Sequence, residues 1–178
     1  MQKYFFTAPL VIFFCIIIAF FYLLIIKRDP SELPSVLIDQ KVPLFETTSL
    51  LNDEPFIFEK ELGKETILVN FFASWCIPCQ LEHPYINKLS KEKNIKIIGV
   101  NYKDTKVDAE KYLEIMGNPF DLIIFDPNGK IGMDLGVYAT PETFLVNQNG
   151  LILYKHIGEI DSRVWEDNFA IHLNKSES

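Results

Sequence analysis

Residues 66–79, TILVNFFASWCIPC, decide how this chain is read. Thr66–Phe72 is an almost continuous apolar run, the pattern of a strand buried on both faces of a sheet. Cys76 and Cys79 follow at once, and Ile77 opens a predicted helix to about Glu92, with Pro84 inside it where a kink is expected. Cys76 then lies at a helix N-terminus, where the macrodipole and free N–H groups stabilise a thiolate. Cys79 lies one turn further in, close enough for a disulfide and more shielded. The pair suits a two-step exchange in which Cys76 attacks a substrate disulfide and Cys79 resolves the mixed disulfide.

Other uses of the pair have less support. A purely structural disulfide would close a short loop and remove little chain entropy. A zinc site could draw on Cys76, Cys79 and His83, but no fourth ligand is evident and no metal is expected. Covalent haem attachment needs His at position 80, which is Gln80. A redox-active pair is the reading that this context favours.

Outward from the junction, strands and helices alternate. Leu44–Leu50 and Phe56–Leu62, separated by Asn52-Asp53-Glu54-Pro55, predict a short hairpin lying before the main sheet. Ile95–Tyr102 reads as a second buried strand, and Val107–Met116 as an amphipathic helix stopped by Gly117-Asn118-Pro119. Leu122–Phe125 is a short strand that ends in the turn Asp126-Pro127-Asn128-Gly129. Thr143–Asn147 and Leu151–His156 flank Gln148-Asn149-Gly150, a hairpin signal, and Asp161 caps a last helix to about Leu173. The order implies an α/β domain with a mixed sheet flanked by helices.

The chain has 178 residues, 48% of them hydrophobic, which suggests one domain. Residues 4–26 contain no charged side chain, enough for the roughly 20 residues of a membrane span and too long for a cleavable signal core. The expected organisation is a transmembrane anchor over 1–28, a Pro/Ser-bearing tether over 29–35 and one domain over 36–178. Cys15 falls mid-span and is read as packing or lipid contact. Lys3 and the terminal amine nearly balance Lys27 and Arg28, so flanking charge does not orient the span. All 24 acidic residues but only 14 of 17 basic ones follow Arg28, leaving that body at −10. Such a charge argues against a nucleic-acid partner. Three cysteines supply no second pair for a disulfide framework.

Trp75-Cys76-Ile77-Pro78-Cys79 after a buried strand, with a later Thr140-Pro141, resembles the thioredoxin superfamily. The match is closer to its membrane-anchored thiol:disulfide interchange proteins of cytochrome c maturation. It is carried by Asn70–Cys76, Glu82-His83, Gly99–Asp104, Gly117–Phe120 and Leu135–Phe144, and runs through Asn149-Gly150 and Gly158 to Arg163–Glu166. The likeness spans about residues 36–170. Ala139 departs from the usual Gly, and Ile77-Pro78 from the usual Pro-Thr. Thioredoxin has a buried Asp where this chain has Asn70, so the proton acceptor must lie elsewhere.

The resemblance implies a thioredoxin-like mixed sheet with an N-terminal hairpin extension and a cis-Pro141 that exposes the Thr140 backbone to a substrate peptide. Trp75 reads as a rim aromatic that contacts the substrate. Glu82 and Glu142, with no Lys or Arg between Asn70 and Asn87, would make the site acidic, disfavour a thiolate and favour a reductant. One of them would take the proton of Cys79. His83 reads as a helix-face residue, and His156 and His172 as surface residues. The implied activity is reduction of the haem-binding cysteine pair of apocytochrome c by a single-pass protein of the bacterial inner membrane, its catalytic domain periplasmic. Electrons would come from a membrane dithiol donor, with other cytochrome c maturation components as further partners and no diffusible cofactor. The rivals are a general anchored reductase or oxidase of exported proteins, and a non-redox apocytochrome docking module.

Overall fold

The structure is a computed structural model that describes residues 3–25, 37–63, 65–92 and 95–176. The chain divides into two compact units, Met1–Glu32 and Leu33–Ser178. The first contains α1, Lys3–Ile25, with Pro9 inside it. Side chains of α1 are described for residues 9–22 and are nearly all exposed. That stretch is shorter than the roughly 20 residues of a span, and among the described residues no helix is long and apolar enough to cross a membrane. The expected anchor over 1–28 therefore rests on the sequence, and the tether over 29–35 lies outside the described residues.

The second unit is built on a seven-stranded mixed sheet. Its strands are β1 (Glu46–Ser49), β2 (Pro55–Ile57), β3 (Ile67–Phe72), β4 (Lys96–Tyr102), β5 (Leu122–Asp126), β6 (Glu142–Val146) and β7 (Ile152–Ile157). The order across the sheet is β2-β1-β5-β4-β3-β6-β7. β3, β4 and β5 run parallel, β6 and β7 are antiparallel on one side, and β1 is antiparallel to β5 on the other. All six residues of β3 are buried. The period-two alternation of a strand then divides them between two cores. Ile67, Val69 and Phe71 pack on one face with Phe144, Ile131 and Leu135. Leu68 and Phe72 pack on the other with residues of α2 (Ile77–Glu92), α3 (Lys106–Met116) and the C-terminal helical segment. Asn70 lies between Val69 and Phe71 in β3 and so faces the α2 side.

Four features differ from the expectation. The N-terminal segments do not stand before the sheet: β1 pairs with both β2 and β5 and so extends it. The second arm is strand only over Pro55–Ile57, and Phe58–Glu61 is a 3-10 turn that buries Phe58. A short helix, α4 (Lys130–Asp134), follows Gly129, whose φ of +69° suits glycine. The last helix is not continuous: α5 (Ser162–Val164) passes through a π-helical turn, Trp165–Phe169, into α6 (Ala170–Ser176). Its expected cap is present, with Asp161 Oδ1 accepting the Val164 N–H at 2.7 Å.

Gly99 shows how tightly this side is packed. A Cβ there would come within 2.8 Å of the Phe120 ring, which stacks on Phe72 with centroids 4.8 Å apart and cannot retreat without displacing it. Gly99→Ala is expected to destabilise the fold by about 1–3 kcal/mol, read as a lower denaturation midpoint at an unchanged slope.

Candidate active site

The loop between β3 and α2 places Cys76 as the residue before the helix. Its carbonyl accepts the Gln80 N–H, the first turn's bond, at 3.2 Å. Cys76 and Cys79 form a disulfide. Both are buried, at 3% and 1% relative exposure, so shielding hardly separates them. Their surroundings do. The Cys79 N–H donates to Cys76 Sγ at 3.1 Å, a bond that would favour a thiolate on Cys76 once the disulfide opens. Cys76 Sγ also lies 3.3 Å from the Thr140 carbonyl oxygen. Thr140-Pro141 is cis, as the resemblance implies, and the loop carrying it faces the reactive sulfur.

Asp104 holds the approach to the cysteines. Its carboxylate accepts the Ser74 N–H at 2.6 Å, the Ser74 hydroxyl at 2.8 Å and the Asn101 amide at 3.0 Å. The Trp75 indole N–H donates to the Lys103 carbonyl at 3.0 Å, and Gln80 donates to the Ser74 carbonyl. Trp75 nevertheless remains 58% exposed, and Ile77 and Tyr138 are also exposed. An apolar rim on a well-tied loop is the expected place of Trp75. Asp104 carried no signal beyond its position in the family pattern, because its partners come from separate segments.

On α2 itself the carboxylate nearest the cysteines in sequence is Glu82. It lies three residues after Cys79, on the same face of α2, and is buried. Asn70 Nδ2 donates to its Oε1 at 2.9 Å and the Ile160 N–H to its Oε2 at 3.0 Å. Asn70 also donates to Thr143 Oγ1 at 2.9 Å, across the β3–β6 register that sets the two residues opposite one another. Desolvation raises the Glu82 carboxyl to about 7, and the bonds from Asn70 and Ile160 only partly oppose this. Asn70, where thioredoxin has a buried Asp, thus holds the Glu82 carboxyl.

Glu142 is different. It is fully buried, its Oε1 accepts the N–H groups of Tyr138 and Ala139, both at 3.0 Å, and its Oε2 lies 2.7 Å from Lys155 Nζ. The expected acidic pair therefore needs correction: the absence of Lys and Arg near the cysteines in sequence did not reveal Lys155, which arrives from β7. The two histidines expected at the surface also need it. His156 is buried, with Nε2 3.2 Å from the Glu159 carbonyl, and His172 is partly buried and stacked on Tyr154. His83 is buried, with Nε2 2.9 Å from the Gly117 carbonyl and Nδ1 2.9 Å from the Tyr112 hydroxyl. Burial lowers its pKa, which favours the neutral ring. The Tyr112 hydroxyl also donates to the Cys79 carbonyl at 3.3 Å, which links His83 to the backbone of the cysteine segment.

Residues 38–169 match the Redoxin family. The chain is 43% identical over 142 residues to the thiol:disulfide interchange protein DsbE of Vibrio cholerae, covering 80% of this chain and 77% of the relative. It is 42% identical over 163 residues to the protein of the same name from Escherichia coli K12, covering 89% and 88%. Among solved structures, one described as a DsbE from Chlorobium tepidum superposes with a TM-score of 0.67 at 27% identity, over 78% of this chain and 99% of that one.

The Glu82 environment predicts a pH dependence. The folded carboxyl keeps its proton to about pH 7, against 4.5 for the reference group. Between those values the native state binds more protons than the unfolded one, so Glu82 makes stability fall as pH rises, by roughly 3 kcal/mol in all. Glu82→Gln should flatten that segment of a denaturation-against-pH curve, whereas an unchanged slope would assign the titration to another group.

Proposed function

The chain belongs to the Redoxin family, among the DsbE-type thiol:disulfide interchange proteins, and from that premise we propose that it reduces the haem-binding disulfide of apocytochrome c during cytochrome c maturation. Thiol:disulfide oxidoreduction is the activity of the site. The substrate, the direction and the place are the proposal. The observation that carries it is the Cys76–Cys79 disulfide between the Thr140 carbonyl and the buried Glu82.

In the reduced protein the Cys76 thiolate attacks one sulfur of the substrate disulfide, forming a mixed disulfide and releasing the other sulfur as a thiolate. The Cys79 thiol passes its proton to Glu82, whose carboxyl is poised near neutrality. The Cys79 thiolate then attacks Cys76 Sγ, expels the substrate's second thiolate and closes the disulfide. Glu82 gives up its proton to the medium as the substrate thiols take theirs. A membrane dithiol donor reduces the pair again, because two cysteines store only two electrons. An ionised Glu82 also disfavours the Cys76 thiolate, which supports the role of reductant.

The uncharged run at residues 4–26 supports an inner-membrane anchor over 1–28. A substrate disulfide persists where the environment is oxidising, which supports a periplasmic position for residues 36–178. Other maturation components are further partners at the membrane.

Cys76→Ser is expected to abolish exchange, and Cys79→Ser to accumulate a mixed disulfide through Cys76. Faster alkylation of Cys79 than of Cys76 in the reduced protein would reverse the assignment. The reduction potential separates reductase from oxidase: a value near about −120 mV, that of the strong oxidant DsbA, contradicts the proposed direction. A C-terminal alkaline phosphatase fusion should be active, and an inactive fusion beside a fluorescent green fluorescent protein fusion removes both the placement and the cytochrome role.

A further inference from the structure

Residues 136–141 are wound around a buried ion pair. Lys155 Nζ donates to the Gly136 carbonyl at 2.8 Å and lies 2.7 Å from Glu142 Oε2. Glu142 Oε1 takes the Tyr138 and Ala139 N–H groups. The two side chains are 5% and 0% exposed, and the ammonium also lies 5.0 Å from the centre of the Phe144 ring and 5.5 Å from that of Tyr138. At the end of this loop the Gly158 N–H holds the Pro141 carbonyl at 2.9 Å. The hydrogen bonds of the pair thus converge on the segment that carries Thr140, whose carbonyl lies 3.3 Å from Cys76 Sγ. Apolar residues of the same volume commonly hold a fold as well as a buried ion pair does. What they cannot do is fasten three backbone groups of one loop.

We infer that Lys155 is a positioning residue for peptide substrates. Through Glu142 and Gly136 it fixes the loop so that the Thr140 backbone is ready to pair with a substrate chain beside Cys76. The inference rests on the reading above that the substrate is a polypeptide disulfide. Lys155 takes no part in the exchange chemistry, so its loss should be felt by substrates with a backbone and not by those without one.

The test uses the full chain in detergent with two substrates, a Cys-x-x-Cys-His peptide disulfide and hydroxyethyl disulfide, which has no backbone to pair. Lys155→Met should raise KM for the peptide about tenfold, the loss of roughly one hydrogen bond of binding, with kcat nearly unchanged. Its rate with hydroxyethyl disulfide should stay within about twofold of the unaltered chain. Lys155→Arg should restore the peptide KM. If Lys155→Met fails to fold, Lys155→Gln, which keeps a donor for the Gly136 carbonyl without the charge, carries the same expectation. An equal fall with both substrates, or no change with either, overturns the inference. If the unaltered chain reduces hydroxyethyl disulfide but not the peptide, the polypeptide-substrate reading has failed, and the inference falls with it.

Discussion

The antiparallel pairing of β6 with β3 is the constraint on which the site depends. β3 ends one short loop before Cys76, and β6 begins directly after Pro141. Pairing Phe71 with Glu142 and Asn70 with Thr143 therefore brings the end of one strand and the start of the other to the same edge of the sheet. The Thr140 carbonyl meets the Cys76 sulfur there. The pairing is held deep inside the molecule, since every residue of both strands is buried. A one-residue slip would turn every side chain of the strand toward the other core and take Asn70 away from Glu82.

On that frame two of the buried carboxylates, Glu82 and Glu142, are treated in opposite ways. Among the described residues Glu82 receives only neutral donors, the Asn70 amide and the Ile160 N–H, and desolvation raises its carboxyl to about 7. It lies one turn along α2 from Cys79. Glu142 receives two backbone N–H groups and a lysine ammonium within hydrogen-bond distance. It is committed to holding its loop. The difference lies in the partners, not in the depth of burial.

The strap between β7 and α5 links these two systems. The Gly158 N–H holds Pro141, and the Ile160 N–H holds Glu82. Gly158 has φ of +110°, a conformation that an L side chain rarely adopts. Two backbone donors in three residues thus serve the peptide-facing loop and the buried acid together.

Much of this was legible in the chain itself. The apolar run of β3, the cysteine spacing, the Asp161 cap and the hairpin at Asn149-Gly150 are local patterns, and local steric and hydrogen-bond preferences decide them. Trp75, Cys76 and Cys79 belong to that class. The resemblance to thioredoxin implied a proton acceptor elsewhere than position 70, but nothing in the sequence showed that Asn70 would hold Glu82. The partners of a buried charge were hidden. Lys155 lies 13 positions after Glu142 in a strand whose alternation reads as ordinary. His156 looked like a surface residue until the C-terminal helical segment covered it. Burial and charge compensation depend on which distant elements pack together. The sequence by itself determined the reactive pair and the strand-to-helix frame that presents it; only the tertiary structure decided which carboxylate would be neutralised and which left near neutrality, because desolvation and ion pairing act through space and not along the chain.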